Sequence, residues 1–270
     1  MSSTLAPSAA TSQLALPGVA AMPLRIRGRR QGTQALVLHL HGGAFTGGDL
    51  DSGECLAGLL ADAGAVVASI GYPHAPAHPF PQAVEAAYAA LEWLHKNRRR
   101  LAGKGAPLFL AGEEAGGNLA AAIALMARDR AAPELAGVVL VAPMLDPCTA
   151  TASQREAMGT HVGCKWSEGW QHYLGGPMDS EHPYAVPAFA RRLADFPPAL
   201  VLAGADDPMR DEALAFAERL RQARVPVRTR LIPSTGWPES LEQVHEPCPC
   251  AAAVQGELAA FLNAPTPPPS

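Results

Sequence analysis

The sequence predicts an α/β fold, with a central and mainly parallel sheet that carries helices on both faces. Short apolar runs alternate along the chain with segments of helical periodicity, which is typical of this class. Most of these runs are apolar throughout rather than alternating, as strands covered on both faces must be. The six predicted strands comprise residues 34–40, 65–72, 107–112, 137–145, 198–206 and 227–233.

Apolar stripes at helical spacing predict two of the helices that lie between these strands. We expect both stripes to face the sheet and to belong to the core rather than to a binding surface. One consists of Val84, Ala87, Tyr88, Leu91 and Leu94, and the other of Ala213, Phe216, Ala217 and Leu220.

Small residues and proline dominate both ends of the chain. Such composition is typical of segments without a packed core. We therefore predict a flexible N-terminal segment with a reduced cap at residues 1–33, one α/β domain at residues 34–263, and a disordered tail at residues 264–270.

The composition fits a protein with one substantial core. The chain has 270 residues, of which 48% are hydrophobic and 17% charged, and its formal net charge is −4. No excess of positive charge favours nucleic acid or an anionic membrane surface. The first twenty residues contain no Lys or Arg, and no run of apolar residues is long enough for a membrane span. We expect a soluble, cytoplasmic protein.

The cysteines do not predict a disulfide framework or a metal site. There are five, an odd number, spread through a long chain. Residues 245–250, HEPCPC, combine one His with two Cys, whereas a zinc site needs four ligands and usually Cys-x-x-Cys spacing. We predict neither a metal nor another cofactor.

Several stretches follow one another in an order that identifies a family. They read HGGAF from His41, YPHAPAHPFPQA from Tyr72, AGEEAGGNLA from Ala111 and GADDPMRDEA from Gly204. Together with HPYAVP and DFPPALVLAG further on, they resemble the hormone-sensitive-lipase-like family of α/β hydrolases, which are mostly bacterial esterases. The resemblance runs from about residue 35 to residue 262 and implies the α/β-hydrolase fold.

In this family a serine attacks the ester, a histidine carries its proton, an aspartate orients the histidine, and backbone N–H groups face the oxyanion. The resemblance implies an oxyanion hole built from Gly42, Gly43 and Ala115. It places the catalytic aspartate at Asp207. Ala44 replaces the third glycine of the family loop.

The nucleophile departs from the family pattern. Glu114 takes the place of the serine between the two glycines of the elbow. A carboxylate there lies next to a helix N-terminus and to the N–H groups of the hole, which favour its ionised form. We hypothesise that the Glu114 carboxylate folds into the oxyanion hole.

The histidine departs from the pattern too. The spacing from Asp207 and from the last helix aligns the family histidine with Trp237. His245 is the alternative, and it requires eight additional residues in the loop before it.

Three functional interpretations follow. The first is a degenerate member of the esterase family that keeps the pocket, has lost serine-hydrolase turnover, and binds a small ligand or a partner. The second is a lyase or isomerase in which Glu114 acts as a general base or acid. The third is an active carboxylic-ester hydrolase that uses His245 with a nucleophile from elsewhere, such as Ser234 or Ser240.

The short N-terminal segment predicts an open pocket, walled in part by residues 161–176. Trp166, Trp170 and Tyr173 either line this pocket or pack in the core, and their helical spacing favours the core. The resemblance also implies a homodimer formed through the last strand and the last helix.

Overall fold

One eight-stranded sheet organises the chain in the computed structural model, which describes residues 10–28, 34–157, 161–233 and 251–264, with only the backbone given at residues 157 and 161–164. The strands are β1 Thr11–Leu16, β2 Val19–Arg27, β3 Leu36–Leu40, β4 Val66–Ile70, β5 Leu108–Glu113, β6 Gly137–Val141, β7 Ala199–Gly204 and β8 Val227–Ile232. Their order in the sheet is β1-β2-β4-β3-β5-β6-β7-β8. The pairs β1–β2 and β2–β4 are antiparallel. All other neighbouring pairs, from β4–β3 to β7–β8 in the order of the sheet, are parallel.

Helices connect the parallel strands, as the α/β interpretation predicted. They are α1 Glu54–Asp62, α2 Gln82–Ala102, α3 Glu114–Asp129, α4 Ala152–Ala157, α5 His161–Tyr173, α6 Arg210–Gln222 and α7 Ala251–Leu262, with short 3-10 turns at Asp179–Glu181 and Pro187–Phe189. Both predicted stripes are buried, one on α2 and one on α6. Within the described residues, no helix combines the length and the apolar character needed to cross a bilayer.

All six predicted strands are present, as β3 to β8. Every residue of β3 to β7 is buried, because helices cover both faces of the inner strands. β8 lies at the edge of the sheet and leaves most of its residues partly or fully exposed. Dimerisation through this edge stays a prediction.

The prediction of a flexible segment over residues 1–33 is wrong for its central part, whereas residues 1–9 and 29–33 lie outside the described residues. Residues 11–27 form the hairpin β1–β2, which turns at Gly18 with φ 76° and extends the sheet through pairing of β2 with β4. Leu14, Met22 and Leu24 are buried against the core. An outer hairpin buries only part of its side chains, so its pattern is much weaker than that of an inner strand.

A buried carboxyl group anchors the loop after β6 to helix α6. Glu212 accepts hydrogen bonds from the backbone N–H groups of Leu145 and Asp146 and, at 3.1 Å, from the side-chain amide of Gln154. Burial raises the pKa of Glu212 to about 8, although these three donors act in the opposite direction.

We predict that Glu212→Ala lowers the free energy of unfolding by about 3 kcal/mol, because it leaves buried donors without their acceptor. Urea denaturation measures this change. Glu218→Ala, on an exposed turn of the same helix, is the matched control and should change stability by less than about 1 kcal/mol. Equal effects of the two substitutions would contradict the anchoring role.

The same carboxyl group predicts a dependence of stability on pH. Its folded-state pKa of about 8 lies above the ordinary value of 4.5, so the folded protein holds the proton over this interval and the unfolded chain releases it. Its contribution is full below the ordinary value and falls as the pH rises to about 8, by at most about 1.4 kcal/mol per pH unit. Urea unfolding of the wild type and of Glu212→Gln at several pH values isolates this contribution. A difference between them that stays constant with pH would contradict the assignment.

Candidate active site

The turn between β5 and α3 forms the centre of the candidate site. Glu113 ends the strand in an extended conformation, and Glu114 begins the helix with φ 52°, in the left-handed region. This conformation costs a residue other than glycine about 1–2 kcal/mol. A strained strand-to-helix turn of this kind presents one side chain at the carboxyl edge of the sheet.

The two glycines of the elbow are required by close backbone contacts. A Cβ atom at Gly112 would lie 2.2 Å from the carbonyl oxygen of Gly116, and one at Gly116 would lie 2.0 Å from the carbonyl oxygen of Leu40. Both positions therefore exclude any side chain. Backbone packing therefore explains the spacing of Gly112 and Gly116, whichever residue occupies position 114 between them.

The Glu114 carboxylate is held by four groups. Its Oε2 accepts hydrogen bonds from the backbone N–H groups of Gly43 and, at 2.8 Å, of Ala44. Its Oε1 accepts a hydrogen bond from the indole N–H of Trp166 and lies 3.6 Å from Nζ of Lys165. The side chain is only 5% exposed. The hypothesised contact with the N–H group of Gly43 is therefore present in the structure.

The loop after β3 supplies two of these donors. Gly43, Ala44 and Phe45 adopt positive φ, at 119°, 49° and 64°, and the N–H groups of Gly43 and Ala44 donate to Glu114. Gly42, expected from the sequence to donate in the same place, instead donates to Oε1 of Glu113 at 3.3 Å. Ala115, the third expected hole residue, is fully buried directly after Glu114.

Glu113 belongs to a second polar network. Its Oε2 lies 2.9 Å from Nε2 of His39, and Nδ1 of the same imidazole lies 2.9 Å from the hydroxyl of Ser69. His39 is fully buried, on the strand between those that carry its two partners. The neighbouring registers, with His39 opposite Ser69 on β4 and Ala111 on β5, bring the three side chains together.

The predicted acid is present after β7. Asp207 is fully buried, and its Oδ1 accepts a hydrogen bond from the backbone N–H group of Met209 at 2.8 Å. Trp237 and His245, and with them Ser234, Ser240 and the HEPCPC stretch, lie outside the described residues.

A cavity of about 300 Å³ opens in front of the elbow. It is lined by glycine-rich backbone, two hydroxyl groups, two carboxylates and one ammonium group, contributed by Gly42, Gly43, Thr46, Gly47, Gly48, Ser52, Glu113, Glu114, Ala142 and Lys165. Within the part of the chain that the structure describes, no three His, Cys, Asp or Glu side chains converge as metal ligands.

Helix α5 forms one wall of the site, as expected for residues 161–176. Lys165 lines the cavity. Trp170 and Tyr173 pack on Phe45 with ring centroids 5.0 and 3.9 Å apart, so these two belong to the core. Trp166 is buried and also binds Glu114, so the choice between core and site does not apply to it.

Comparison with known proteins identifies this arrangement. The α/β hydrolase fold family profile matches residues 37–237. The chain belongs to the hormone-sensitive-lipase-like α/β hydrolases. This chain is 34% identical over 203 residues to Esterase LipI of Mycobacterium tuberculosis, covering 73% of this chain and 63% of that protein. It is 36% identical over 237 residues to Carboxylic ester hydrolase LipN of the same organism, covering 83% of this chain and 62% of the relative.

Solved structures of esterases have the same fold. The esterase of Pyrobaculum calidifontis superposes with a TM-score of 0.84 at 30% identity, over 96% of this chain and 87% of that protein. A bacterial heroin esterase gives a TM-score of 0.83 at 30% identity, over 97% and 87% of the two chains. The chain thus spans less than two thirds of the length of the two mycobacterial relatives and most of the length of these two esterases.

The sequence pattern did not reveal four contributors to the site. His39, Ser69 and Lys165 stand in no motif, and the donor role of Ala44 became visible only with the loop geometry. One signal was available, since a histidine in the otherwise apolar run LVLHL demands a buried polar partner.

We predict that Trp166→Phe lowers the free energy of unfolding by about 1.5–3 kcal/mol, because a buried carboxylate loses a donor while the ring packing stays. Trp170→Phe is the matched control, since the indole N–H of Trp170 has no acceptor among the described residues. Chemical denaturation of both variants measures the difference. If Trp170→Phe lowers the free energy of unfolding as much as Trp166→Phe does, loss of the hydrogen bond to Glu114 does not explain the effect.

Proposed function

We propose that this α/β hydrolase has lost serine-hydrolase turnover and uses the cavity at the elbow to bind a small ligand. The observation that carries the proposal is the position of the Glu114 carboxylate, in contact with the backbone N–H groups of Gly43 and Ala44. In ester hydrolysis these donors face the oxyanion of the tetrahedral intermediate.

The chemistry of the elbow supports a loss of activity. A carboxylate held by four partners is a poor nucleophile, because attack would require it to give up hydrogen bonds worth about 1.5–3 kcal/mol each. An ester carbonyl must also displace Glu114 from the donors before it can be polarised. The negative charge that develops on the substrate would then lie next to a carboxylate.

The remaining triad positions support the same proposal. Asp207 keeps the place of the orienting acid, but an acid acts only through the histidine that it orients. The spacing from Asp207 and from the last helix predicts that Trp237, which cannot accept a proton, takes the position of that histidine. Loss of triad members lowers turnover by several orders of magnitude, although the hole and binding alone can leave a residual rate.

The cavity supports a retained binding role. Its volume of about 300 Å³ is at the lower end of small-molecule sites, and its polar groups converge at the elbow. Two carboxylates and one ammonium group line it, so it favours a neutral or cationic ligand over an anionic one. A small ligand rather than a long acyl chain is therefore the occupant that we propose.

The test is hydrolysis of short-chain p-nitrophenyl esters by the wild type, by Glu114→Ser and by Glu114→Ser combined with Trp237→His. We expect turnover only in the double variant, because both nucleophile and base are needed to restore the triad. Thermal unfolding of all three proteins checks that each is folded.

The opposite outcome is equally clear. Hydrolysis by the wild type that disappears in His245→Ala would overturn the proposal and identify an active ester hydrolase with a rearranged site. Labelling of the wild type by a fluorophosphonate probe would locate the nucleophile of such an enzyme.

A further inference from the structure

The two neighbouring carboxylates of the cavity differ in their free acceptor capacity. A carboxylate offers about four lone-pair directions. Glu114 accepts three hydrogen bonds, from Gly43, Ala44 and Trp166, and also forms an ion pair with Lys165 at 3.6 Å. From the described residues Glu113 receives two contacts, one from His39 at 2.9 Å and a long one from the Gly42 N–H group at 3.3 Å.

We propose that Glu113 is the general base of this cavity and takes a proton from a small, uncharged ligand with an acidic C–H bond. Glu113 lines the cavity and retains 11% exposure of its side chain. Glu114, the base suggested by the elbow motif alone, is held instead by three hydrogen bonds and the ion pair with Lys165. The inference uses the same cavity as the proposed function and assigns it a reaction class.

The His39 imidazole positions this base. The 2.9 Å contact between Nε2 and Oε2 requires a proton between the two atoms, so we assign Nε2–H as donor to Glu113. Nδ1 then accepts from the Ser69 hydroxyl, or donates to it when the imidazole is charged. The buried imidazole thereby fixes one oxygen of Glu113 and leaves the other with unused acceptor capacity.

The charges around the cavity restrict the ligand. Lys165 lies within 3.6 Å of Glu114 and offsets that charge, whereas Glu113 has the hydrogen-bonding imidazole as its partner. An anionic ligand would meet both carboxylates. An uncharged carbon acid meets no such repulsion, and its C–H proton moves to Glu113 while the electron pair of the broken bond stays on the ligand.

The test uses nitrobenzisoxazole, a probe that needs only a positioned base. The base removes its ring C–H proton, the electron pair forms a C–N triple bond, the N–O bond breaks, and a coloured cyanonitrophenolate results. No oxidant or second substrate is involved. We expect the wild type to exceed free acetate at equal pH by about 100-fold or more in second-order rate, as a positioned base does.

Variants identify the base. Glu113→Gln should reduce the rate about 100-fold, and Glu113→Asp should keep part of it, because the carboxylate survives with a shorter reach. Glu85→Gln, the same change at an exposed position of α2, is the control for loss of a charge. Circular dichroism checks that each variant is folded.

His39 is tested as a positioning residue. His39→Leu should lower the rate and alter its pH profile, and His39→Gln should restore part of the rate, because its amide can donate to Glu113. If His39 had only a structural role, the rate of each variant would fall in proportion to its loss of stability, and the pH profile would not change.

Two outcomes overturn the inference. One is a wild-type rate no greater than that of acetate. The other is loss of the rate in Glu114→Gln while Glu113→Gln retains it. The proposed function fails separately, since ester hydrolysis by the wild type would overturn the loss of turnover and leave the base assignment standing.

Discussion

The neutralisation of one buried charge is the constraint on which the candidate site depends. Glu114 occupies a left-handed backbone position, at φ 52°, with its carboxylate almost completely removed from water. An ionised carboxylate in such a place is tolerated only when paired and hydrogen-bonded. The loop after β3 and helix α5 supply the required donors, so two separate segments of the chain converge on this side chain.

The same donors have a different energetic effect on a permanent charge than on a transient one. N–H groups that face an empty hole stabilise charge only as it develops in the transition state, which is what accelerates a reaction. When a carboxylate of the protein fills the hole, these groups stabilise the folded ground state instead. On the proposed function, glutamate in place of serine at position 114 thus converts catalytic preorganisation into conformational stability.

The sequence predicted those features that depend on local pattern and failed where distant segments meet. The continuous apolar runs specified β3 to β7, and the spacing of Gly112 and Gly116 specified the elbow. The hairpin β1–β2 was not predicted, because an outer pair of strands buries few side chains and leaves a weak apolar pattern. The network of Ser69, His39 and Glu113 depends on the registers of three strands, which no motif encodes, and the donor from Trp166 depends on where α5 docks.

The two acidic residues of the elbow coexist because the turn gives each of them its own partners. A Cβ atom at Gly42 would lie 2.9 Å from Oε2 of Glu114 and 3.6 Å from Cγ of Glu113, so a single glycine separates the two side chains. Two buried carboxylates in one cavity each need partners that offset their charge. Lys165 and Trp166 compensate one carboxylate, and His39 compensates the other. Because these partners come from different segments of the chain, the cavity can hold two carboxylates, one with three hydrogen bonds and an ion pair and a second with fewer hydrogen bonds.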